Sequence, residues 1–325
     1  MSPPSLEAIR APIGTDLARV DEVIRERLSS EVALIRTIAE YIIGSGGKRL
    51  RPALVLLSAN ALGTPAKGRH ELAAVIEFIH TATLLHDDVV DESSLRRGRH
   101  TANAEFGNAA SVLVGDFLYS RAFQMMVGVG NTRVMAVMAD ATNVIAEGEV
   151  LQLMNVRDAG TDEESYLRVI RYKTAKLFEA ATQVGALLAG ATAAQEQALT
   201  AYGMHLGTAF QLIDDVLDYS GASEETGKNL GDDLAEGKPT LPLIHVMKSG
   251  TEAERALVRR AIEESGKTEL EAVLAAVQRT GALDYARGKA RLEAEAATSH
   301  LATLPGSDCR DALLQLASFS VERSF

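Results

Sequence analysis

The chain has 325 residues, 46% of them hydrophobic, and a formal net charge of −11, enough apolar material for a large core and too acidic for a general nucleic-acid binder. Cys309 is the only cysteine, which excludes an intrachain disulfide or a cysteine zinc site. The opening MSPPSLEAIRAPIGTDLARV lacks the basic-then-apolar order of a secretory signal and no apolar run reaches about 18 residues, so the expectation is a soluble, cytoplasmic globular protein.

In chain order, Leu17, Val20, Ile24, Leu28, Val32, Ile35, Ala39 and Ile42 recur at three- and four-residue steps and predict a helix stopped by Gly44. The same periodicity predicts helices over 51–62, 70–92, 108–127, 131–157, 163–189, 195–219, 239–249, 252–264, 267–303 and 308–322. Long alternating Val/Ile/Thr runs are missing and alanine is abundant, so the fold class is all-α. No Pro/Ser-rich linker divides the chain, so 1–325 reads as one domain. Breaks fall at 44–51, 63–68, 93–100 and 221–239; the last is long and charged, a predicted lid.

The helix over 70–92 runs into LLHDDVVDESSLRRG. At about 100° per residue, His80, Asp87 and Asp91 fall in one narrow stripe. Two carboxylates so placed repel by about 1 kcal/mol in water and about 4 in a half-buried setting. A hard cation such as Mg2+, which prefers oxygen ligands, offsets that repulsion. A second copy, FQLIDDVLDY, puts Asp214 and Asp218 on one face with Gln211 a turn earlier. In both copies the acids plug the end of an apolar stretch; a solvated helix face would spread them along its length.

Two such helix ends facing each other would hold several Mg2+ ions, and diphosphate oxygens suit the remaining coordination positions. The neighbouring basic segments fit that reading. Arg96 and Arg97 follow the first acidic cluster, GGKRLRP supplies Lys48, Arg49 and Arg51, and GKNLGDDLAEGKPTLP supplies Lys228 and Lys238. Guanidinium forks match phosphate bidentately.

GGKRLRP, LLHDDVVDESSLRRG, KTAKLF, FQLIDDVLDY and GKNLGDDLAEGKPTLP, in this order, resemble the trans-isoprenyl diphosphate synthase (polyprenyl synthetase) family, and most of all its long-chain bacterial members, which make octaprenyl and similar side chains of respiratory quinones. The resemblance implies a single large helical bundle around a deep central cavity, usually a homodimer. It implies that Asp87, Asp91 and Asp214 bind three Mg2+ ions, with Asp88, Asp215 and Asp218 of the same motifs contributing directly or through water. It implies that Lys48, Arg51, His80 and Arg97 hold isopentenyl diphosphate. Arg96, Lys173, Thr174, Gln211, Lys228 and Lys238 would hold the allylic diphosphate, farnesyl or similar. The reaction implied is ionisation of the allylic diphosphate, attack by the double bond of isopentenyl diphosphate, and loss of a proton to the released diphosphate. His86 lies well around the helix from His80 and is expected to be structural.

A growing tail needs an apolar shaft, since each buried CH2 contributes about 0.8 kcal/mol. Thr83 shares the Asp87 side one turn back, and Ala82 beside it is also small, where short-chain relatives carry bulky aromatics. Ile76 and Ile79 lie roughly 12–17 Å along the helix from Asp87, and with Phe123, Met126, Met135 and Met138 they are the expected floor. A shorter- or longer-chain synthase, a class I terpene cyclase and a non-catalytic partner subunit are the competing readings. The intact second DDxxD and the set Lys48, Arg51 and Arg97 favour the synthase.

Overall fold

A computed structural model describes residues 5–44, 47–63, 66–96, 98–220, 230–264 and 269–322. Its helices are α1 (Leu6–Arg10), α2 (Gly14–Arg27), α3 (Ala33–Gly44), α4 (Leu50–Asn60), α5 (Arg69–Val90), α6 (Ala102–Phe106), α7 (Asn108–Val129), α8 (Thr132–Asn155) and α9 (Glu163–Ile170). There follow α10 (Lys176–Leu188), α11 (Ala193–Asp218), α12 (Asp232–Ala235), α13 (Leu241–Ser249), α14 (Glu252–Glu263), α15 (Leu270–Arg279), α16 (Ala282–His300) and α17 (Asp308–Glu322). Among the described residues the only β-structure is an antiparallel ladder of Leu95–Arg96 with Arg99–His100. The fold is all-α, as the periodicity predicts.

Local chemistry sets the helix ends. Thr192 with Gln195 and Thr251 with Glu254 form capping boxes that start α11 and α14. Gly130, at φ 73°, closes α7. Three predicted helices differ from the observed ones. The run from Leu17 to Ile42 is broken between α2 and α3, where the Ser30 hydroxyl accepts the Val32 N–H at 3.2 Å and competes with the helical pattern. The segment 267–303 is split at Gly281, whose φ of 67° ends one helix and starts the next. The segment 163–189 is continuous but contains a π-turn, Arg171–Ala175.

At the centre, α5 packs on α4 and α7, α10 on α4, α8 and α11, and α16 lies along α11. Leu54, Leu56 and Leu57 of α4, Ile76, Phe78 and Ile79 of α5, Phe178 of α10 and Tyr202 and Leu206 of α11 are buried in the largest core cluster. Each such aliphatic or Phe side chain contributes about 1.5–3 kcal/mol on leaving water. The seam between α10 and α11 is tighter than side chains would allow. A Cβ on Gly203 would stand 2.3 Å from Thr182 Oγ1 and 2.6 Å from the Phe178 carbonyl oxygen, and one on Gly207 would stand 2.6 Å from Ala175 Cα. These two helices therefore meet backbone to backbone, which fixes the distance between the π-turn and the acidic end of α11.

Candidate active site

The ends of α5 and α11 face each other across a cavity of about 840 Å3. Asp87 and Asp91 line one wall, Asp214, Asp215 and Asp218 the opposite one, and Lys48, Arg51, His80, Arg96, Lys173, Thr174, Gln211 and Lys238 line the same space. The predicted diphosphate-binding side chains that are described, and every predicted metal-binding aspartate but Asp88, are thus gathered in one place; Arg97 and Lys228 lie outside the described residues, as does the 221–229 part of the predicted lid.

Each aspartate of the first motif faces a cation from a different element. Lys173 Nζ lies 3.4 Å from Asp87 Oδ2 and 2.6 Å from Glu149 Oε2. Arg96 donates from Nε at 2.9 Å and Nη2 at 2.7 Å to Asp88 Oδ1. Lys238 Nζ lies 2.9 Å from Asp91 Oδ2 and 2.5 Å from Glu236 Oε2. Burial alone would lower the Lys238 ammonium, but Asp91, Glu236 and Asp233 outweigh it and push its pKa up. Asp88 is only 4% exposed, and burial lifts its carboxyl above the ordinary range in spite of Arg96. The sequence grouped Asp88 with the metal-binding acids; the structure places it beneath Arg96 and outside the cavity wall.

The π-turn brings Lys173 and Thr174 to the cavity, and π-turns recur at functional sites because the extra residue re-aims side chains. Gly148 of α8 makes room for it, since a Cβ there would lie 2.6 Å from the Lys173 nitrogen. The next residue, Glu149, is pushed up to about 7, first by burial and then by Asp87, against the opposing pull of Lys173. Across the seam, Thr174 Oγ1 donates to Gln211 Oε1 at 3.1 Å, and Gln211 Nε2 donates to Asp215 Oδ1 at 2.7 Å. The Tyr166 hydroxyl of α9 donates to Asp215 Oδ2 at 2.5 Å. Burial, followed by Asp233, raises Asp215 to about 8, so this member of the second motif is a hydrogen-bonding hub. Asp218 accepts the Asp233 N–H at 3.2 Å, and its carbonyl accepts the Gly231 N–H at 2.9 Å, which ties the 230–240 segment to the end of α11.

On the basic side, Arg51 Nη1 lies 3.0 Å from His80 Nε2, and its guanidinium sits 4.6 Å from the centroid of the Phe178 ring. Arg49 between the two predicted binders turns to Glu77 and Asp21. His86 contacts Asp116 and the Val112 carbonyl on α7, both at 3.3 Å. Of the expected shaft residues Thr83 lines the cavity, whereas Ala82, Ile79, Met126 and Met138 are buried in the core behind it and Phe123 packs half-buried against that core. Apolar lining comes instead from residues that include Leu84, Ile145, Leu177 and Phe210. Sequence reasoning missed Glu77, Glu149, Tyr166 and Glu236. Glu77 carried a usable signal, being an acid set within an otherwise apolar stretch of its helix.

Among the described residues no three His, Cys, Asp or Glu side chains converge on one point. The carboxylates are instead divided between two walls of one cavity, a donor set of hard oxygens that suits Mg2+, which takes one or two carboxylates per ion and completes its shell with phosphate oxygens and water. No helix among the described residues is long and apolar enough to cross a membrane.

Residues 32–279 match the family described as Polyprenyl synthetase. The chain is 54% identical to the octaprenyl diphosphate synthase of Escherichia coli K12, covering 98% of this chain and 99% of that one. It is 48% identical to the all-trans-nonaprenyl-diphosphate synthase (geranyl-diphosphate specific) of Rhodobacter capsulatus, covering 97% of each. Among solved structures it is similar to a polyprenyl synthase from Caulobacter crescentus CB15 complexed with calcium and isoprenyl diphosphate, with a TM-score of 0.96, 44% identity and full coverage of both chains. It is also similar to a decaprenyl diphosphate synthase from Rhodobacter capsulatus, with a TM-score of 0.92, 48% identity and coverage of 99% of this chain and 100% of that one.

Proposed function

Because the chain belongs to the polyprenyl synthetase family and is a long-chain trans-polyprenyl diphosphate synthase, a prenyltransferase, we propose that it extends an allylic primer such as farnesyl diphosphate with isopentenyl units to octaprenyl diphosphate, a quinone side-chain precursor. The observation that carries this reading is the one cavity lined by both DDxxD helix ends and by the described members of both basic sets.

In this proposal Asp87, Asp91 and Asp214, with Asp218 beside them, hold three Mg2+ ions. When bound, the metal supplies positive charge that stabilises a departing diphosphate. Arg96, Lys173 and Lys238 add fixed charge beside the first motif, and the Tyr166–Asp215–Gln211–Thr174 chain holds the polar groups of the opposite wall in one orientation; Lys228 is assigned to the allylic diphosphate by the family resemblance alone. Lys48, Arg51, His80 and Arg97 orient isopentenyl diphosphate so that its double bond lies within reach of the allylic carbon. Leu84, Ile145, Leu177 and Phe210 exclude the water that would otherwise quench a carbocation.

Octaprenyl is the proposed product because identity to the octaprenyl synthase exceeds that to the nonaprenyl and decaprenyl enzymes. The same proposal makes the chain a single domain in a cytoplasmic homodimer. The exposed apolar residues Val150 (58%), Leu153 (63%) and Met154 (70%) on α8, with Leu113 and Val127 on α7, support self-association. The test is incubation of the purified chain with labelled isopentenyl diphosphate, farnesyl diphosphate and Mg2+, followed by product chromatography. An eight-unit product is expected. Failure to incorporate label with either farnesyl or geranylgeranyl primer overturns the catalytic reading, and a nine- or ten-unit product overturns the length.

A further inference from the structure

We infer that Arg49 is a positioning residue for isopentenyl diphosphate, clamped by Glu77 and Asp21 so that the turn it occupies delivers Lys48 and Arg51 to the cavity. This rests on the reading of Lys48, Arg51 and His80 given above.

Arg49 is the N-cap of α4 and has φ 44° and ψ 34°, a left-handed conformation that L-residues with a Cβ avoid. A residue stays in that region only where its surroundings hold it there. The holding contacts are Arg49 Nη1 to Glu77 Oε1 at 2.5 Å and Arg49 Nε to Asp21 Oδ1 at 3.4 Å, from α5 and α2 respectively. The Arg49 side chain is 17% exposed and that of Glu77 9%, so the pair is largely withdrawn from water. Arg10 of α1 belongs to the same charge cluster, which sets two guanidinium groups against two carboxylates. Arg49 and Glu77 line the cavity alongside Lys48 and Arg51, and with its charge engaged by Glu77 and Asp21, Arg49 is placed to brace the turn.

The register supports the same role. Glu77 and His80 are one turn apart on α5, and they receive Arg49 and Arg51, one rung each. Two rungs prevent the start of α4 from rotating or sliding along α5. Lys48, just before the first rung, lines the cavity. Releasing the first rung leaves Arg51 tied to His80 and Phe178 but frees the turn that aims Lys48.

The experiment is steady-state kinetics of the full-length enzyme with both substrates varied. Arg49→Asn removes the fork but keeps a side chain that tolerates left-handed backbone, Glu77→Gln removes the other half of the rung, and Lys48→Ala reports on the substrate site itself. Arg49→Asn and Glu77→Gln are each expected to raise KM for isopentenyl diphosphate about tenfold, with KM for the allylic diphosphate and kcat at saturation within about twofold. The double variant should be no worse than the weaker single, because both act through one contact. Arg49→Lys should recover part of the loss, having the charge without the two-way fork. If Lys48→Ala leaves KM for isopentenyl diphosphate unchanged, the reading of the substrate site fails. If Lys48→Ala raises it but Glu77→Gln and Arg49→Asn do not, or raise both KM values alike, the positioning role is overturned. Should Arg49→Asn not fold, Glu77→Gln and Arg49→Lys are judged by the same split.

Discussion

Replacing Asp88 by Asn separates the carboxylate that supports Arg96 from those proposed to hold metal. At 2.7 Å, the Arg96–Asp88 attraction is roughly 6 kcal/mol in a medium of effective dielectric about 20. Burial nevertheless raises the Asp88 carboxyl above its ordinary range, so desolvation outweighs that attraction. Asparagine has the same shape, keeps an oxygen for Arg96 Nε and Nη2, and removes the buried charge, so the unfolding free energy should stay within about 1 kcal/mol of the parent. A neutral acceptor holds a guanidinium about half as strongly as a charged one, which loosens Arg96 by roughly 1–1.5 kcal/mol and should lower kcat/KM for the allylic substrate about tenfold. Mn2+ binding in the presence of inorganic pyrophosphate should persist in Asp88→Asn and be lost in Asp87→Asn and Asp91→Asn. Urea unfolding, steady-state kinetics and Mn2+ titration read these three quantities. A stability loss above about 3 kcal/mol, unchanged kinetics, or Mn2+ loss equal to that of Asp87→Asn would refute the reasoning.

Asp16 accepts from Arg69 and His70 at 2.8 Å and Asn60 at 2.9 Å; against the upward pull of burial these bonds take its pKa to about 2. A lowered carboxylate stabilises the fold above its ordinary pKa and loses that contribution as pH falls through the folded value. Asp16→Asn should therefore cost on the order of 2 kcal/mol at pH 7, with the gap closing between about pH 4 and pH 2 in urea titrations. Lys238→Met leaves Asp91 and Glu236 without their ammonium, so the variant should lose about 2–3 kcal/mol in chelator and recover more melting temperature than the parent when Mg2+ is added, as calorimetry would show. Thr83→Phe should shorten the product by narrowing the lined part of the cavity, and Met126→Ala should lengthen it by opening the core behind, as chromatography of the chains would show.

Helix type and order were legible because apolar residues at three- and four-residue steps report burial directly, and α5, α7, α8 and α11 lie within a few residues of their predicted spans. The breaks before α3 and at Gly281 were not, because periodicity continues through them and only a serine turn or one positive φ interrupts the chain. The site's acids were legible as plugs at the ends of apolar helices. Their pairings were not, since Lys238 meets Asp91 and Tyr166 meets Asp215 only through the tertiary fold. Asp88 shows the limit most clearly. Its neighbours at positions 87 and 91 share its composition signal, but a step of about 100° around the helix sends it to a different partner.

The glycine seam at Gly203 and Gly207 has a consequence for how such an enzyme diversifies. With no side chain at Gly203 and Gly207 to hold the two helices apart, their spacing at the site end is set largely by main-chain dimensions. The apolar part of the cavity lining, with Leu84, Ile145 and Leu177, is made of ordinary side chains, which exchange one at a time. A lineage can therefore reshape this apolar lining in few steps while the spacing of the two acidic helix ends stays fixed.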